Sequence, residues 1–340
     1  GPIIMFFLPL SSGGGIFYRK REFISSINNV ISKYKSNEVI LLTSYNPWFA
    51  IQIGKHFKKR YKDIYWVNDY RDLPFNNIVE PLTKFIFFKI ASKFYTDISD
   101  LTLCVTKEIQ NNFKSIAKDP KKILYYPNGY DLDDLPPIKK EKATSNIHRD
   151  NLLVITYTGR FYQNGTREIT PFIRALASAS NNKNFKFLFK YAGSQAEYVK
   201  NIFSEFGLSD SLEILGVISR EEAIKLQSSS DMLLLISYTG ENDLQGDGIV
   251  TGKFFEYALT KRPIMVIGSS GWELKKVLLG DKLNSIFRHS ETSQISNHLI
   301  FLMNAKNKTA PLKVTYSKKD FDGYNHKKLA ENLLEKFKNI

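Results

Sequence analysis

The stretch from Leu152 to Arg160, LLVITYTGR, joins an apolar segment of strand length to a polar loop that contains a glycine and an arginine. Comparable apolar segments recur along the chain, and stretches of helical spacing separate them. The predicted strands are Ile3–Leu8, Glu38–Thr43, Asp63–Val67, Leu101–Val105, Ile123–Tyr126, Leu152–Tyr157, Phe185–Phe189, Leu212–Leu215, Met232–Ile236 and Pro263–Ile267. Strands that alternate with helices are typical of parallel α/β sheets. The sequence therefore predicts an α/β protein with two Rossmann-like domains, whose parallel sheets face a central cleft.

A polar segment, 131–150, separates the two series of strands. It reads DLDDLPPIKKEKATSNIHRD, includes two adjacent prolines and lacks apolar periodicity, as expected of a linker. We expect an amino-terminal domain over residues 1–140 and a carboxyl-terminal domain over residues 141–324. Residues 325–340 form a basic amphipathic pattern, which predicts a helix that packs back on the amino-terminal domain.

The composition argues against a disulfide-stapled, metal-binding or membrane-spanning protein. The chain has 340 residues and a formal net charge of +14, from 48 basic and 34 acidic side chains. Its one cysteine, Cys104, cannot form an intramolecular disulfide, and no cluster of histidine and cysteine has metal-ligand spacing, so we expect no disulfide, metal or other cofactor. Lysines interrupt the longest apolar runs, and no stretch resembles a signal peptide. These features favour a cytoplasmic protein with a surface suited to phosphates or anionic lipid.

The segment Gly248–Pro263, GIVTGKFFEYALTKRP, combines a glycine-containing loop, a lysine and the start of a helical pattern. Free amide groups at the start of a helix attract anions such as a diphosphate. Glu256 lies one turn further along, where a carboxylate can accept both hydroxyl groups of a ribose. The alternative is an ordinary capped helix on which Lys253 and Glu256 are solvated.

Two further loops place charged residues at the ends of predicted strands. Arg160 and Arg167 follow the first strand of the second series, where a parallel sheet binds ligands and arginine can hold phosphate oxygens. In the first series, the segment Trp66–Asp72 ends a strand with two carboxylates and Arg71, a set suited to hydroxyl recognition or proton transfer. An internal ion pair between Arg71 and an aspartate is the alternative.

Taken in chain order, these segments resemble the GT-B glycosyltransferases of the family 4 type over about residues 40–280. The resemblance is carried by Trp66–Asp72, Ser99-Asp100, Pro127–Asp131 (PNGYD), Tyr157–Arg160, Gly193, Leu215–Glu222, Ser229–Leu235, Lys253–Leu259 and Arg262-Pro263. It implies a GT-B fold with a nucleotide-sugar site in the carboxyl-terminal domain. Relative to the family, the amino-terminal half is shortened by one or two β/α units.

The resemblance also implies individual roles. The donor-binding residues would be Gly14, Gly15, Arg160, Arg167, Val217, Ile218, Thr251, Gly252, Lys253 and Glu256. Within this set Glu256 would bind the ribose, the segment Thr251–Lys253 and Arg160 would contact the diphosphate, and the backbone around Val217 and Ile218 would hold the base. Arg160 and Lys253 would stabilise the leaving diphosphate, and no metal would be needed. On the acceptor side the candidates are Asp69, Arg71 and Asp72, with Asp69 nearest the reacting hydroxyl.

At two points the motifs of this chain differ from those of the family. Gly248 occupies the place of the first glutamate in the E-x7-E pattern, and Asp247 is adjacent but out of register. The usual R-x4-K pattern is replaced by Arg160 and Arg167, which have a different spacing.

Two regions have the composition of a helix on an anionic membrane surface. Lys55–Lys62 and Lys84–Tyr95 mix cations with aromatic side chains. Aromatic residues in the core beside a solvated basic face are the alternative. We expect peripheral contact with the inner face of the cytoplasmic membrane.

The expected function is transfer of a sugar from a nucleoside-diphosphate-sugar to a hydroxyl of a glycan or lipid-linked glycan. The resemblance implies retention of configuration and a role in bacterial surface-polysaccharide synthesis. One alternative is a nucleotide-sugar epimerase of the same fold, and another is a non-catalytic basic module that binds lipid or nucleic acid. The sequence has no helix-turn-helix, RRM or finger pattern, so we expect no nucleic-acid partner.

Overall fold

The computed structural model describes residues 16–34, 39–45, 48–71, 90, 93–131, 152–161, 165–241, 246–309 and 311–338. Two compact units are formed by Gly1–Pro127, called unit 1 below, and Asn128–Ile340, called unit 2. The predicted strand Ile3–Leu8 and the predicted boundary after residue 140 lie outside the described residues.

Unit 1 is an α/β unit with a four-stranded parallel sheet in the described part of the chain. Its elements are α1 (Ile16–Ile31), β1 (Ile40–Tyr45), α2 (Trp48–Arg60), β2 (Tyr65–Tyr70), β3 (Leu101–Cys104), α3 (Lys107–Lys114) and β4 (Ile123–Tyr125). The strands lie in the order β1-β2-β3-β4, each parallel to its neighbour. Trp66, Tyr70, Cys104 and Phe113 are fully buried beside this sheet. Cys104 is therefore a core residue.

Unit 2 has a second parallel sheet and a larger set of helices. Its elements are β5 (Leu153–Thr158), α4 (Thr170–Ser180), β6 (Phe187–Ala192), α5 (Ala196–Glu205), β7 (Leu212–Gly216), α6 (Arg220–Ser228), β8 (Met232–Ile236), α7 (Lys253–Leu259), β9 (Ile264–Ile267), α8 (Lys275–Leu278), β10 (Ser285–Phe287), α9 (Thr292–Lys308), α10 (Lys318–Phe321) and α11 (His326–Lys338).

The six strands of unit 2 lie in the order β10-β9-β8-β5-β6-β7. This is the doubly wound Rossmann order, in which the first and fourth strands are neighbours at the centre of the sheet. The chain leaves β5 toward one side of the sheet and leaves β8 toward the other. The crevice between their carboxyl ends is therefore the topological switch point of unit 2.

Both faces of this sheet are buried. Along β8, Leu234 and Ile236 pack with α4, α5 and α9, whereas Leu233 and Leu235 pack with α7 and α8. A strand buried on both faces consists of a continuous apolar run, as the segment Met232–Ile236 does. The packing explains why this strand is predicted with the same bounds that the structure has.

The carboxyl-terminal segments join unit 2. Tyr130 forms a parallel bridge with Asn325, and the backbone N–H of His326 at the start of α11 donates to the Tyr130 carbonyl at 2.9 Å. The ring of Tyr130 stacks on Phe321 at 4.6 Å between centroids. Packing of α11 on the amino-terminal domain stays a prediction. Within the described residues, no helix has the length and apolar character needed to cross a membrane.

Candidate functional site

Hydrogen bonds to the backbone of Gly159 hold the loop after β5 against the end of β6. The Gly159 N–H donates to the Ala192 carbonyl at 2.7 Å, and the Tyr191 hydroxyl donates to the Gly159 carbonyl at 3.0 Å. Gly159 has a φ of 125°, a conformation that favours glycine. A Cβ on Gly193 would overlap the Gly159 carbonyl oxygen, so both glycines of the sequence motif allow two loops to approach each other closely.

Arg160 follows directly and its side chain is exposed. Its backbone carbonyl accepts from the Tyr157 hydroxyl at 3.0 Å, and the ring of Tyr157 stacks on Phe161 at 4.2 Å. The Phe161 N–H donates to the side chain of Gln195 at 2.6 Å. The loop is thus fixed on both sides of Arg160 while the guanidinium faces solvent at the carboxyl edge of the sheet.

Arg167 lies across the switch point. Its Nε donates to the carbonyl of Ser237, the first residue after β8, at 3.1 Å. Beside it, the Thr239 N–H donates to the Thr166 carbonyl at 2.7 Å, and the Glu168 N–H donates to Thr239 Oγ1 at 3.0 Å. These bonds tie the loop that follows β5 to the loop that follows β8, and they place Arg167 at the crevice.

Lys253, the first residue of α7, points back toward the end of β5. Its Nζ donates to the Thr158 carbonyl and lies 5.1 Å from the centroid of the Tyr157 ring. The pKa of Lys253 is lowered overall. Burial lowers it most, the carboxylate of Glu256 raises it, and Arg167 lowers it further. A Cβ on Gly159 would overlap the Lys253 ammonium, so this glycine leaves room for the lysine. A partly buried cation of this kind favours an anionic ligand.

The start of α7 is anchored by two polar contacts. Thr251 Oγ1 accepts from the Lys253 N–H at 3.0 Å, and the Asn128 side chain donates to the Val250 carbonyl at 3.0 Å. Asn128 is the asparagine of the PNGYD segment, whose role is therefore to hold the loop that precedes α7. Gly252 is exposed and has open space around its Cα.

Glu256 lies one turn further along α7 and opens into a pocket of about 160 Å³. The residues that line this pocket come from four parts of unit 2: Gly129, Tyr130, Asp131, Arg220, Ile224, Gly252, Glu256, Leu259 and His326. Gln227 donates from Nε2 to Glu256 Oε1 and also to Thr158 Oγ1. The pocket therefore combines a half-buried carboxylate with an arginine and a histidine.

Sequence reasoning finds Glu256 but misses four other residues of this region. They are Asp131, Arg220, Gln227 and His326. Asp131 and Arg220 lie in segments that carry the family resemblance, but no motif assigns them to the donor site, and Gln227 and His326 lie in none of those segments. Only the fold brings them beside Glu256, over separations of 29 residues or more along the chain.

Asp247 precedes Gly248, the residue in the place of the first glutamate of the E-x7-E pattern, and it makes a structural contact. Asp247 Oδ1 accepts from the Gly271 N–H at 3.1 Å, and a Cβ on Gly271 would overlap this carboxylate. The Ile249 carbonyl accepts from the Ser237 hydroxyl at 2.8 Å and from the Trp272 indole at 2.9 Å. Asp247 thus helps to hold the loop after β9 against the loop after β8.

Val217 and Ile218 follow β7. Val217 is 79% exposed, and the loop ends in a capping box in which Ser219 accepts from the Glu222 N–H at 3.2 Å. Arg220 and Ile224 of the helix that follows line the pocket. That Val217 and Ile218 bind a base stays a prediction.

In unit 1, Asp69 is the last residue but one of β2 and is buried. Its Oδ2 accepts from Arg71 Nε at 2.8 Å and from the Ser44 hydroxyl at 3.2 Å. This is the internal ion pair that the sequence left open as an alternative. Oδ1 of Asp69 is buried and has no hydrogen-bond partner among the described residues. The guanidinium of Arg71 also lies 5.3 Å from the centroid of the Tyr126 ring.

Three predicted site residues, Gly14, Gly15 and Asp72, lie outside the described residues. Within the described ranges, no group of three or more histidine, cysteine, aspartate or glutamate side chains could hold a metal ion.

Comparison with known proteins gives matches at the level of structure. No protein-family profile matches the chain, and no curated protein matches its sequence significantly. Sucrose-phosphate synthase from Thermosynechococcus elongatus superposes with a TM-score of 0.71 at 14% identity, over 96% of this chain and 79% of that one. HepE from Anabaena in complex with UDP-glucose gives 0.66 at 13% identity, over 93% and 82%. The lipopolysaccharide outer core galactosyltransferase WaaB gives 0.60 at 11% identity, over 96% and 82%.

These neighbours are GT-B glycosyltransferases, so the likeness confirms the predicted fold class. This chain has the GT-B α/β fold, with two Rossmann-like units that each contain a parallel sheet.

Proposed function

We propose that this chain is a glycosyltransferase that moves a sugar from a nucleoside-diphosphate-sugar to a hydroxyl group. The observation that carries the proposal is the pairing of Lys253 and Glu256, one turn apart on α7 at the switch point. Lys253 lies against the end of β5, and Glu256 opens into a pocket. A cation and a carboxylate at this spacing suit a diphosphate and the ribose attached to it.

Several residues in the crevice suit the donor. Arg160 and Arg167 belong to the loop after β5, and Lys253 approaches that loop from α7. Their positive charge would hold the diphosphate, and Glu256 would accept from ribose hydroxyls. The neighbour HepE was solved in complex with UDP and with UDP-glucose, which supports a nucleotide-sugar donor for this fold.

In the proposed reaction, the bond between the anomeric carbon and the diphosphate breaks, and a bond from that carbon to the acceptor oxygen forms. Negative charge develops on the leaving diphosphate, and an oxygen of this diphosphate takes up the proton that the acceptor hydroxyl loses. Preorganised cations that face such a charge supply a large part of the rate in many enzymes. Lys253 and Arg160 would take this role, which would make a metal ion unnecessary. Retention of configuration is part of the proposal, on the basis of the family resemblance.

On the acceptor side we propose Asp69, Arg71 and Asp72. The buried Oδ1 of Asp69 has no partner among the described residues, whereas Oδ2 is held by Arg71 and Ser44. A carboxylate held in this way could accept a hydrogen bond from a hydroxyl. Asp69→Asn should lower turnover about hundredfold or more without changing nucleotide affinity, and unchanged turnover would remove Asp69 from the reaction.

The finer parts of the proposal concern the acceptor and the location. A glycan or lipid-linked glycan of bacterial surface-polysaccharide synthesis is the proposed acceptor, and the inner face of the cytoplasmic membrane is the proposed location. Basic and aromatic residues support contact with anionic lipid: Lys55 Nζ lies 3.5 Å from the centroid of Phe94, which is 44% exposed. Sedimentation with anionic and with neutral vesicles tests this part by itself.

The donor site is tested by thermal denaturation in the presence of UDP, GDP, dTDP, CDP and ADP. A ligand at about 100 times its Kd stabilises the folded state by about 2.7 kcal/mol. We expect one nucleotide to raise the Tm of the wild type and to lose most of this effect in Glu256→Gln. Glu205→Gln, at the exposed end of α5, is the matched control and should respond as the wild type does.

If no nucleotide raises the Tm, or if Glu256→Gln responds like the wild type, the donor site is wrong. If a nucleotide does bind, product analysis by NMR separates a transferase from an epimerase, because an epimerase converts the sugar nucleotide without an acceptor.

A further inference from the structure

Gln227 is a buried polar residue that no motif of the sequence explains. It lies on α6 and is fully buried, at 0% exposure. Its Nε2 donates to Thr158 Oγ1 at 3.0 Å and to Glu256 Oε1, whereas its Oε1 has no hydrogen-bond partner among the described residues. A buried acceptor without a partner is unfavourable, so an apolar side chain would serve the core better than this amide does.

The direction of these bonds is fixed by chemistry. An amide nitrogen has two hydrogens and only donates, and both hydrogens of Gln227 Nε2 are used. The oxygen of Glu256 that faces Gln227 must therefore act as an acceptor, as a carboxylate oxygen does. This contact fixes Oε1 of Glu256 and leaves Oε2 as the oxygen available to a ligand.

The other end of the contact is held by several hydrogen bonds. Thr158 is the last residue of β5, and both its N–H and its Oγ1 lie 3.1 Å from the Tyr257 hydroxyl. The Thr158 carbonyl also accepts from Lys253 Nζ. One strand end therefore anchors both charged residues of α7, Lys253 directly and Glu256 through Gln227.

We propose that Gln227 is a positioning residue that holds the Glu256 carboxylate with one oxygen toward the pocket. The inference rests on the proposed function, because it concerns how Glu256 meets a ribose. Gln227 itself touches no substrate in this scheme.

The first test replaces the amide. Gln227→Met keeps the approximate shape and removes the donor, and the affinity for UDP and for GDP is measured by calorimetry. A hydrogen bond to a charged group corresponds to about tenfold to hundredfold in affinity, so the Kd of the better ligand should rise by about that factor at every pH. Gln110→Met is the matched control in unit 1, where Gln110 donates to the Ile123 carbonyl at 3.0 Å, and it should leave the Kd unchanged.

The second test uses charge. Gln227→Glu places a second carboxyl group beside Glu256, and two such groups in one buried site share a proton rather than both ionise. At about pH 8 the repulsion should weaken binding more than Gln227→Met does. Toward about pH 6 the pair takes up a proton, a donor is restored, and the affinity should return toward that of wild type. A side chain that only fills the core would give no such pH dependence.

Other titratable groups face Glu256 and must be separated from this effect. They are Lys253 and Tyr257 on α7, Arg220 on α6, Asp131 in the segment before the linker and His326 at the start of α11. The terminal phosphate of the nucleotide also titrates. All of these are present in wild type and variant, so the ratio of the two Kd values at each pH isolates the change at residue 227.

The double variant Gln227→Glu/Glu256→Gln exchanges the two side chains. It restores one donor and one acceptor between α6 and α7, so its Tm should exceed that of Gln227→Glu at about pH 8. Nucleotide affinity should stay low, because the carboxylate no longer faces the pocket. This variant also tests the contact if Gln227→Glu alone does not fold.

Two failures are distinguishable. If wild type binds none of the nucleotides, the proposed function fails and the inference falls with it. If wild type binds a nucleotide and the folded Gln227 variants bind it with the wild-type Kd at both pH values, only the inference is overturned.

Discussion

In the six-stranded sheet of unit 2, an acidic residue and a lysine lie at the amino ends of the central strands, called the amino edge below. Another such pair lies at the carboxyl ends, called the carboxyl edge, and the two pairs make different contacts. At the amino edge, Lys306 Nζ lies 2.6 Å from Asp231 Oδ2, and each side chain is 11% exposed. At the carboxyl edge, Lys253 bonds a backbone carbonyl while Glu256 opens into a pocket.

The backbone contacts explain the difference. Asp231 Oδ2 also accepts from the Val154 N–H at 2.8 Å, and Lys306 donates to the Leu152 carbonyl at 2.7 Å, so this pair closes the amino ends of β5 and β8. The carboxyl ends of the same strands are the place where doubly wound sheets bind ligands. Charges of the same kind thus serve stability at one edge and suit recognition at the other.

The largest effect expected is the loss of stability in Lys306→Met. The substitution leaves Asp231 buried without its cation, which for a buried pair costs about 3–5 kcal/mol. Urea unfolding should show this decrease in the free energy of unfolding, while the protein that stays folded binds nucleotide with the wild-type Kd.

The double variant Lys306→Met/Asp231→Asn is its control. Removing both charges should restore much of the lost stability, because no unpaired charge stays buried. If the single and double variants are equally unstable, the pair is not what closes the amino edge.

These two edges also illustrate how much the sequence can predict. The bounds of β8 follow from its apolar run, and β5 is predicted one residue early because Leu152 continues the apolar pattern. For β6 the predicted segment Phe185–Phe189 stops short of the observed end at Ala192, since Lys190 interrupts the run although the strand continues. Strand β10 is not predicted, because only Ile286 and Phe287 are apolar between Ser285 and Arg288, whereas the equally short β4 lies in the longer run Ile123–Tyr126.

The site is predictable only where a motif marks it. Lys253 and Glu256 stand in a motif, and the structure brings both to the carboxyl edge. Gln227 and Arg220 reach the same region through the packing of α6, and no spacing along the chain connects them to Glu256. In unit 1, the sequence could not decide between an open site and an ion pair at Asp69, because both use the same residues; the structure contains the ion pair.

The second prediction concerns Lys253→Met at the carboxyl edge. Turnover of the sugar nucleotide should fall about 10²–10³-fold, as expected when a preorganised contact to a developing charge is removed. The free energy of unfolding should change much less than in Lys306→Met. Lys200→Met, on the exposed side of α5, is the matched control, and equal turnover in both variants would contradict the role of Lys253.

The third prediction uses the glycine that makes room for Lys253. Gly159→Ala forces a φ of 125° on a residue with a side chain, and its Cβ would displace the lysine ammonium. Stability should fall by about 1–3 kcal/mol, and nucleotide affinity should fall as well.

Gly207→Ala is the control for this strain. Gly207 has a φ of 66° and open space around it, so its substitution should lower stability without affecting nucleotide binding. If the two variants bind nucleotide equally well, the displacement of Lys253 has no consequence for the site.

The smallest effect expected is a pH dependence at the amino edge. His298 on α9 contacts the Leu283 carbonyl at 3.2 Å just before β10, and burial lowers the pKa of His298 more than this contact raises it. The unfolded chain therefore binds a proton at this residue more readily than the folded protein does. Stability should decrease as the pH falls through about 6.5, the ordinary pKa of histidine, and it should be fully present above that pH.

His298→Gln keeps a donor for the Leu283 carbonyl but removes the titration. Its free energy of unfolding should therefore vary less than that of wild type between about pH 7.5 and pH 5.5, by about 1 kcal/mol or less. Nucleotide affinity, compared with wild type at each pH, should not change, because His298 belongs to the edge that closes the sheet. An equal slope of stability against pH in wild type and variant would show that burial of this imidazole does not destabilise its charged form.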